Sequence, residues 1–380
     1  MIIGIDAHKL NESVCVTDMD GKIVEEYRMD NTEKEWNVFM GKYPKDSDIV
    51  VESSTTGKYV ARLLRDNGFR IHLANPKALK IIFRSTKKTD KNDARNLAKL
   101  FRMGELPESY LPSREIDSIR SMIRYRRSLG EEVTAIKNRV HALLARNGLS
   151  VDASDIFGKR ALKKMLDLSA SLNETDGFIL TDLLSRFRAI SDNIDSVQDR
   201  LASMGKDNEY VNILMSIPGI DYYTALGIYS EIGDISRFPD ADHLASYTGL
   251  VPKVDQSRSV AIYGHVTKAG SSVLRFFIVN SVHTLIKLSP TFKRLYRKMK
   301  KRIGRNRALI AVARKLAVTI YNMLAKKEEF VENHLFESLK ERKLKAMEKR
   351  SGKVKEFIKE DMEKIIGEMT ISSKSNKLFS

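Results

Sequence analysis

The chain has 380 residues, enough for two or three domains, and carries a net charge of +17 with a pI of about 9.6. This excess of Lys and Arg indicates a polyanionic partner, most simply nucleic acid, with an anionic membrane surface as the alternative. The single cysteine, Cys15, excludes an intrachain disulfide and a multi-cysteine zinc site and suits a reducing cytosol, while neither a signal peptide nor a bilayer-spanning apolar stretch is evident.

Residues 1 to about 100 have an α/β pattern. Short apolar runs predict strands at 2–5, 13–17, 22–27, 49–52 and 70–73, and helices are predicted at 33–40, 57–67 and 77–102. Short polar turns separate the first three strands, which indicates an antiparallel meander. Three hairpin-linked strands followed by alternating helices and strands is the order of the ribonuclease H-like fold.

Four acidic residues in this region form a pattern typical of a metal site. Asp6 ends the first predicted strand, Glu52 ends the fourth, and Asp90 and Asp93 are three residues apart on one face of a predicted helix. Mg²⁺ prefers hard oxygen ligands, and two ions can clamp the attacking and leaving oxygens of a phosphodiester displacement. Any one of these acids alone is better interpreted as a solvated loop residue. Together, in so basic a chain, they favour a nuclease-like centre.

Long helices are predicted from about 113 to 204, where apolar residues recur three and four positions apart. One seam runs from 119 to 143 and the other from 180 to 204, which favours an antiparallel helical hairpin or an intermolecular coiled coil. The first helix carries many basic side chains, including Arg124 and Arg127. They form either a nucleic-acid-facing surface or an ordinary solvated face, and the net charge favours the former.

The third region, 209 to about 330, contains several turn motifs and the most basic segment. The turn at 217–220 resembles a helix-hairpin-helix turn, but Asp221 replaces the usual second glycine, so that a plain turn is an equal alternative. Lys268 and Arg275, beside a later turn, are placed to hold a phosphate. Nine Lys and Arg residues between 293 and 307, with Arg294 and Arg297 among them, come without an acid and predict contact with a nucleic-acid backbone.

The order of these motifs resembles that of the DEDD transposases, which include Piv-type DNA invertases and bridge-RNA-guided recombinases of insertion sequences. The resemblance covers roughly residues 1–320. In the first half it rests on Asp6 at its strand end, Val51-Glu52-Ser53-Ser54-Thr55-Thr56-Gly57, Ala74-Asn75-Pro76 and Lys88-Thr89-Asp90-Lys91-Asn92-Asp93-Ala94. In the second half it rests on Ile217-Pro218-Gly219-Ile220, Ile232-Gly233-Asp234-Ile235, Gly249-Leu250-Val251-Pro252, Gln256-Ser257 and Thr267-Lys268-Ala269-Gly270 with Leu274-Arg275.

The resemblance implies a RuvC-like ribonuclease H fold whose four acids bind Mg²⁺, with two ions expected; here they are Asp6, Glu52, Asp90 and Asp93. It also implies a C-terminal transposase domain with a serine nucleophile that forms a transient phosphoserine link to DNA. The matching residue is Ser257. The family's serine is usually followed by glycine, whereas Arg258 follows here, so Ser259 stays an alternative to the favoured Ser257. A serine hydroxyl needs a base or a metal to activate it, and metal held by the four acids would serve.

These expectations divide the chain into a catalytic domain at 1–108, a helical coiled-coil region at 109–206, a transposase domain at 207–326 and a charged helical tail at 327–380. The resemblance implies a cytoplasmic, nucleoid-associated protein of a prokaryote that acts on DNA, is guided by a structured RNA, and assembles as a dimer or tetramer. Two alternatives stay open. One is a RuvC-like Holliday-junction endonuclease that uses metal-activated water and needs no Ser257; the other is a non-catalytic nucleic-acid-binding protein.

Overall fold

The computed structural model describes residues 1–82, 90–151, 156–257 and 260–332, and at 90, 91, 159, 252–257 and 260–265 it describes the backbone alone. The chain divides into two compact units, Met1–Ser113 and Arg114–Ser380. The finer division at 108, 206 and 326 remains a prediction. Most of the predicted charged tail lies outside the described residues, which end at 332.

The first unit is built on a five-stranded sheet with the strand order β3-β2-β1-β4-β5. The strands are β1 (Ile2–Ala7), β2 (Asn11–Thr17), β3 (Ile23–Asp30), β4 (Asp48–Glu52) and β5 (Arg70–Ala74). The first three form the antiparallel meander that the polar turns predict, and β4 and β5 run parallel to β1. This mixed sheet is consistent with the expected ribonuclease H-like arrangement.

Helices cover both faces of this sheet, which is why its central strands are apolar on both sides. On one face, Ile3 and Ile5 of β1 pack in a core with residues of α1 (Glu33–Lys42) and α2 (Thr55–Asp66). On the other face, Ile2 and Val50 pack against α4 (Asp90–Arg102). The predicted helix at 77–102 is helical in α3 (Pro76–Ile82) and in α4, and residues 83–89 lie outside the described part.

The second unit begins with two long helices that pack against each other. The early residues of α5 (Arg114–Arg146) share a core with the late residues of α7 (Glu174–Gly205), and the late residues of α5 share another with the early residues of α7. The pair is therefore antiparallel, with α6 (Lys159–Ser169) packed on its far end. The seams thus form a helical hairpin within one chain, the first of the two arrangements that the sequence allowed.

The rest of the second unit is a helical domain interrupted by one two-stranded hairpin. Its elements are α8 (Glu209–Met215), α9 (Tyr222–Ile232), α10 (Ala241–Tyr247), β6 (Pro252–Ser257), β7 (Val260–Val266), α11 (Ser272–Leu288), α12 (Pro290–Ile303) and α13 (Arg305–Lys326). Side chains of Asp221, Ser271 and Ser289 cap α9, α11 and α12, respectively, by accepting a hydrogen bond from a first-turn amide. The hairpin is joined to α10 and α11 by two short turns; the second turn carries Lys268, and Arg275 lies in the first turn of α11.

One helix in the described part, α13, is long and apolar enough to cross a membrane by length and composition, with a mean hydropathy of 1.4. The sequence does not show it as one continuous apolar stretch, because Arg314 and Lys315 divide its apolar residues. Core helices of globular proteins meet the same criterion. Leu316, Ile320 and Leu324 of α13 are buried in the main core of the second unit.

Candidate active site

Asp6 and Glu52 lie at the same end and on the same face of the sheet. The parallel register of β1 and β4 pairs Ile5 with Val51, and each acid follows this pair directly. Side chains alternate between the faces of a strand, and Ile2 and Val50 face α4, so Asp6 and Glu52 are on the α4 side. Asp6 is buried and Glu52 half-buried. Strand register alone therefore brings two of the four predicted acids together.

Helix α4 crosses this face close to β1. A Cβ on Gly4, two residues before Asp6, would lie 2.1 Å from the carbonyl oxygen of Ala94. The last residue of α4, Arg102, lies at the opposite end, because a Cβ on Gly21 in the β2–β3 turn would lie 2.5 Å from its Nε. The first turn of α4, from Asp90, therefore lies at the end of the sheet that carries Asp6. Asp93 is half-buried on this turn, whereas Asp90 is described in its backbone alone.

The donor set has the chemistry of a magnesium site, since all four residues offer carboxylate oxygens. Among the side chains that the structure describes, no three His, Cys, Asp or Glu residues are grouped closely enough to hold a metal ion. The backbone thus brings the two strand ends and the helix start together, and metal binding by the quartet remains a proposal. His8, about half exposed, places its Nε2 3.1 Å from Oδ2 of Asp6, so this histidine both contacts the candidate site and faces solvent.

A fifth acid, which the sequence pattern did not indicate, lies near this end of the sheet. Glu12 pairs with Ala7 across β1 and β2, is fully buried, and has no hydrogen-bond partner for either carboxyl oxygen within the described residues. Burial raises the pKa of Glu12 from 4.5 to about 8; the nearby backbone amide of His8 offsets only part of this increase, and the charge of Asp6 adds to it. The alternation in β2 could have indicated this burial, because Glu12 is two residues before Val14 and four before Val16 and so lies on the same face of the strand.

The predicted nucleophile Ser257 is the last residue of β6, where it pairs with Val260 at the end of the hairpin. The structure describes its backbone alone, and Ser259 lies outside the described residues. Ser257 therefore remains the favoured nucleophile and Ser259 the alternative, as predicted from the sequence.

Lys268 and Arg275 lie at the opposite end of this hairpin, at its base. Lys268 is exposed and has a left-handed φ of 52°, a conformation that side-chain-bearing residues rarely adopt. Arg275 is half-buried, and its Nη1 donates to the carbonyl oxygen of Thr248 at 2.9 Å. Arg275 thus has a structural contact, while Lys268 extends from a constrained turn into solvent.

The two α5 arginines predicted to bind nucleic acid make contacts within the second unit. Arg124 pairs with the buried Glu231, with 2.7 Å between Nη2 and Oε1. Arg127 pairs with Glu131 at 3.1 Å and lies over the ring of Phe276 at 4.7 Å. Both side chains thus have contacts within the second unit, and their binding to nucleic acid remains a prediction.

Arg294 and Arg297 are exposed on α12, whose opposite side buries Thr291 and Phe292. The basic residues of α12 and of the start of α13 therefore form an outward surface, which we call the α12 basic surface. It consists of Lys293, Arg294, Arg297, Lys298, Lys300, Lys301, Arg302, Arg305 and Arg307, all exposed.

The turn at Gly219 does not have the features of a phosphate-binding turn. The carboxylate of Asp221 accepts a hydrogen bond from the amide of Thr224 at 2.8 Å and caps α9. A phosphate at this helix terminus would compete with a negative charge already present. The geometry thus favours the plain helix-helix turn.

Two family models match successive parts of the chain. Residues 3–147 match the DEDD model of IS110-type proteins, described as a transposase, and residues 211–297 match the model described as transposase IS116/IS110/IS902 family. The first match includes all four acids, and the second includes Ser257, Lys268, Arg275, Arg294 and Arg297.

Curated relatives agree with both models. The chain is 26% identical over 338 residues to a transposase for insertion sequence element IS1111A of Coxiella burnetii, covering 87% of this chain and 91% of the relative. It is 24% identical over 244 residues to a probable family 20 transposase of Pseudomonas aeruginosa, covering 63% and 71%. A pilin gene-inverting protein of Moraxella bovis is 30% identical over 126 residues, covering 32% and 39%.

Proposed function

Because this chain belongs to the DEDD transposases of the IS110 type, a family of DNA transposases and recombinases, we propose that it cuts and rejoins DNA by Mg²⁺-assisted attack of a serine. The observation that supports the proposal is that the register of β1 and β4 puts Asp6 and Glu52 side by side, with α4 passing close to β1 at Gly4. The second family match contains the serine-bearing hairpin.

In this proposal the divalent ions would be held by four carboxylates, those of Asp6, Glu52, Asp90 and Asp93. Two ions are expected, because two metal ions commonly act together in phosphodiester chemistry. Bound magnesium supplies Lewis-acid polarisation of the scissile phosphate and lowers the pKa of a coordinated hydroxyl. The protein's own contribution is to hold the carboxylates in place. The close approach of α4 to Gly4 fixes the helix start relative to Asp6.

Ser257 performs the covalent step. Its Oγ forms an ester bond with the phosphorus while the bond from phosphorus to one DNA oxygen breaks, and the proton lost by the serine is taken up through solvent by that leaving oxygen, so that a DNA hydroxyl is released. Attack of a DNA hydroxyl on the phosphoserine reverses this step and frees the serine. Because one phosphodiester replaces another, rejoining requires no nucleotide hydrolysis.

The α12 basic surface and Lys268 hold the DNA backbone in this proposal. Arg294 and Arg297 extend from a part of the chain that has no acid between Gln256 and Lys327, so the local field attracts phosphate. The target DNA sequence is then recognised by base pairing with a structured guide RNA. Two or four chains assemble on the DNA. These two features derive from the family resemblance.

Trapping of a covalent protein–DNA adduct tests the proposal. Wild-type protein with Mg²⁺ and element-end DNA, supplied with the RNA encoded beside the gene, is expected to yield an adduct that survives denaturation. Ser257→Ala is expected to abolish it, with Ser259→Ala as the matched control. Asp6→Asn is expected to abolish both adduct and cleavage.

Three other results would contradict the proposal in different ways. Cleavage by Ser257→Ala at the wild-type rate would indicate the RuvC-like endonuclease that uses water. Loss of the adduct in Ser259→Ala but not in Ser257→Ala would transfer the nucleophile to Ser259. Binding without cleavage under every condition, unaltered by Asp6→Asn, would indicate a non-catalytic protein.

A further inference from the structure

A buried carboxylate in the second unit connects the long helix α5 to the base of the hairpin that carries Ser257. Glu231, the penultimate residue of α9, is 2% exposed. Its Oε1 accepts a hydrogen bond from Nη2 of Arg124 at 2.7 Å, and its Oε2 accepts one from Oγ of Ser271 at 2.8 Å. Each carboxylate oxygen thus joins a different element.

Ser271 is the residue through which this carboxylate reaches the hairpin. Its hydroxyl donates to Glu231 and also accepts from the amide of Leu274 at 3.1 Å, which makes it the N-cap of α11. A hydroxyl has one donor and two acceptor sites, so both contacts are compatible. The amide of Ser271 donates to the carbonyl oxygen of Tyr247 at 3.0 Å. Ser271 therefore fixes the start of α11 against the end of α10.

The two chain segments that flank the hairpin are bonded to each other directly beneath it. The amide of Lys268 donates to the carbonyl oxygen of Gly249 at 3.2 Å. Gly249 and Gly270 have φ values of 68° and 84°, and a Cβ on them would lie 2.2 Å from the oxygen of Ala269 and 2.1 Å from that of Tyr247. The hairpin base is therefore closely packed backbone, and a shift at Ser271 is transmitted to it.

The backbone beside Glu231 is held by a buried cation. Arg120 is 7% exposed and donates to the carbonyl oxygens of Ser230 and Glu231, the latter at 2.9 Å. Cations are favoured at a helix C-terminus, where carbonyls lack partners within the helix. Two arginines of α5 thus position the end of α9, and the hydrogen bond from Ser271 to Glu231 links the start of α11 to it.

We propose that Glu231 is a positioning residue for strand transfer, which holds the hairpin base through Ser271 in the conformation from which Ser257 attacks. The inference rests on the proposed function, because Ser257 is the group that it serves. A misplacement of about 1 Å in a reacting group can cost on the order of 100-fold in rate. A hairpin that shifts at its base therefore loses rate at saturating DNA, while DNA affinity is retained.

Substitutions at Ser271 separate its contact with Glu231 from its role as a helix cap. Aspartate caps helices as well as serine does, so Ser271→Asp keeps the cap but places a carboxylate against Glu231. Ser271→Thr retains both contacts and is the conservative rescue. Asn208→Ala removes the cap of α8, whose amide contact is to Val211 at 3.2 Å, and controls for the loss of a cap elsewhere in the unit.

Three quantities are measured on the full chain: the rate of adduct formation at saturating DNA, the Kd for DNA, and hydrogen exchange at the amides of Lys268 and Ser271. Ser271→Asp and Glu231→Gln are expected to slow adduct formation about 10- to 100-fold. Both are expected to leave Kd within about threefold and to accelerate exchange at the two amides. Ser271→Thr is expected to restore most of the rate, and Asn208→Ala to retain it.

The double variant Glu231→Gln/Ser271→Ala is expected to be no slower than the slower single variant, because both changes break the same link. Multiplicative losses in the double variant, or a wild-type rate in Ser271→Asp, would overturn the role of Glu231. An adduct that persists in Ser257→Ala would instead overturn the proposed function. Hydrogen exchange would then still decide whether Glu231 fixes the hairpin base.

Discussion

Glu12→Gln is expected to stabilise the first unit near neutral pH and to stabilise it clearly less near pH 5. The physical reason is the cost of ionising a fully buried carboxyl that has no hydrogen-bond partner among the described residues. In the unfolded chain Glu12 releases its proton near its ordinary pKa of 4.5, whereas in the folded protein its pKa is raised to about 8. Glutamine has nearly the same shape and never ionises.

The sign and size of the effect follow from proton linkage. A carboxyl with a raised pKa binds its proton more tightly in the folded state, so the free energy of unfolding decreases as pH rises from 4.5 to about 8. pH 7 is about 2.5 units above the pKa of Glu12 in the unfolded chain, and each unit is worth 1.36 kcal/mol, so ionisation stabilises the unfolded state by about 3 kcal/mol at this pH. At pH 5 the corresponding cost is about 1 kcal/mol. Glu12→Gln removes this difference of about 2 kcal/mol.

The protein contains a convenient probe, because its single tryptophan, Trp36, is buried in the core of the first unit. Urea unfolding is followed by Trp36 fluorescence at pH 5 and pH 7, with EDTA present so that no divalent ion binds beside Asp6. Glu105→Gln, which changes an exposed carboxyl of the same unit, is the matched control. An equal effect of Glu12→Gln on the free energy of unfolding at both pH values would refute the reasoning.

Three further predictions concern the sheet, the hairpin base and the α12 basic surface. Gly4→Ala is expected to displace α4, since its Cβ would lie 2.1 Å from the oxygen of Ala94; unfolding by urea should show a loss of about 2–4 kcal/mol, and an unchanged midpoint would contradict the close approach. Lys268→Gly relieves a φ of 52° and should raise stability by up to about 1 kcal/mol while weakening DNA binding; unchanged affinity would remove Lys268 from the interface. Arg294→Ala with Arg297→Ala should reduce the slope of log K against log salt by about 2, and an unchanged slope would exclude these two phosphate contacts.

The sequence predicted the secondary structure of the first unit because its periodicities are local. Alternating and continuous apolar runs identified all five strands, and polar turns identified the meander. The positions of Asp6 and Glu52 at strand ends could be predicted for the same reason. Glu12 was missed because one acid at an alternating position is equally compatible with an exposed strand end, and its burial depends on the helices packed over that face.

Arg124 has a partner that local patterns do not predict. Its basic neighbours on α5 led to the prediction of a nucleic-acid contact, which remains a prediction, and its partner Glu231 is 107 residues away along the chain. No periodicity of α5 encodes that distance. The apolar seams of the long helices have the same limitation. A seam indicates that one face of a helix is buried, but it does not indicate whether the same chain or a second chain packs on that face.

The sequence by itself determined the membership in the transposase family, the order of the elements and the residue types of the candidate chemistry, all of which depend on local patterns and motif order. The tertiary structure decided which groups share an environment. It placed Asp6 and Glu52 on one face of the sheet and removed Glu12 from water. It also joined Arg124 to Ser271 through Glu231. Burial and electrostatic partners are properties of segments distant in the chain, so they arise when those segments pack together.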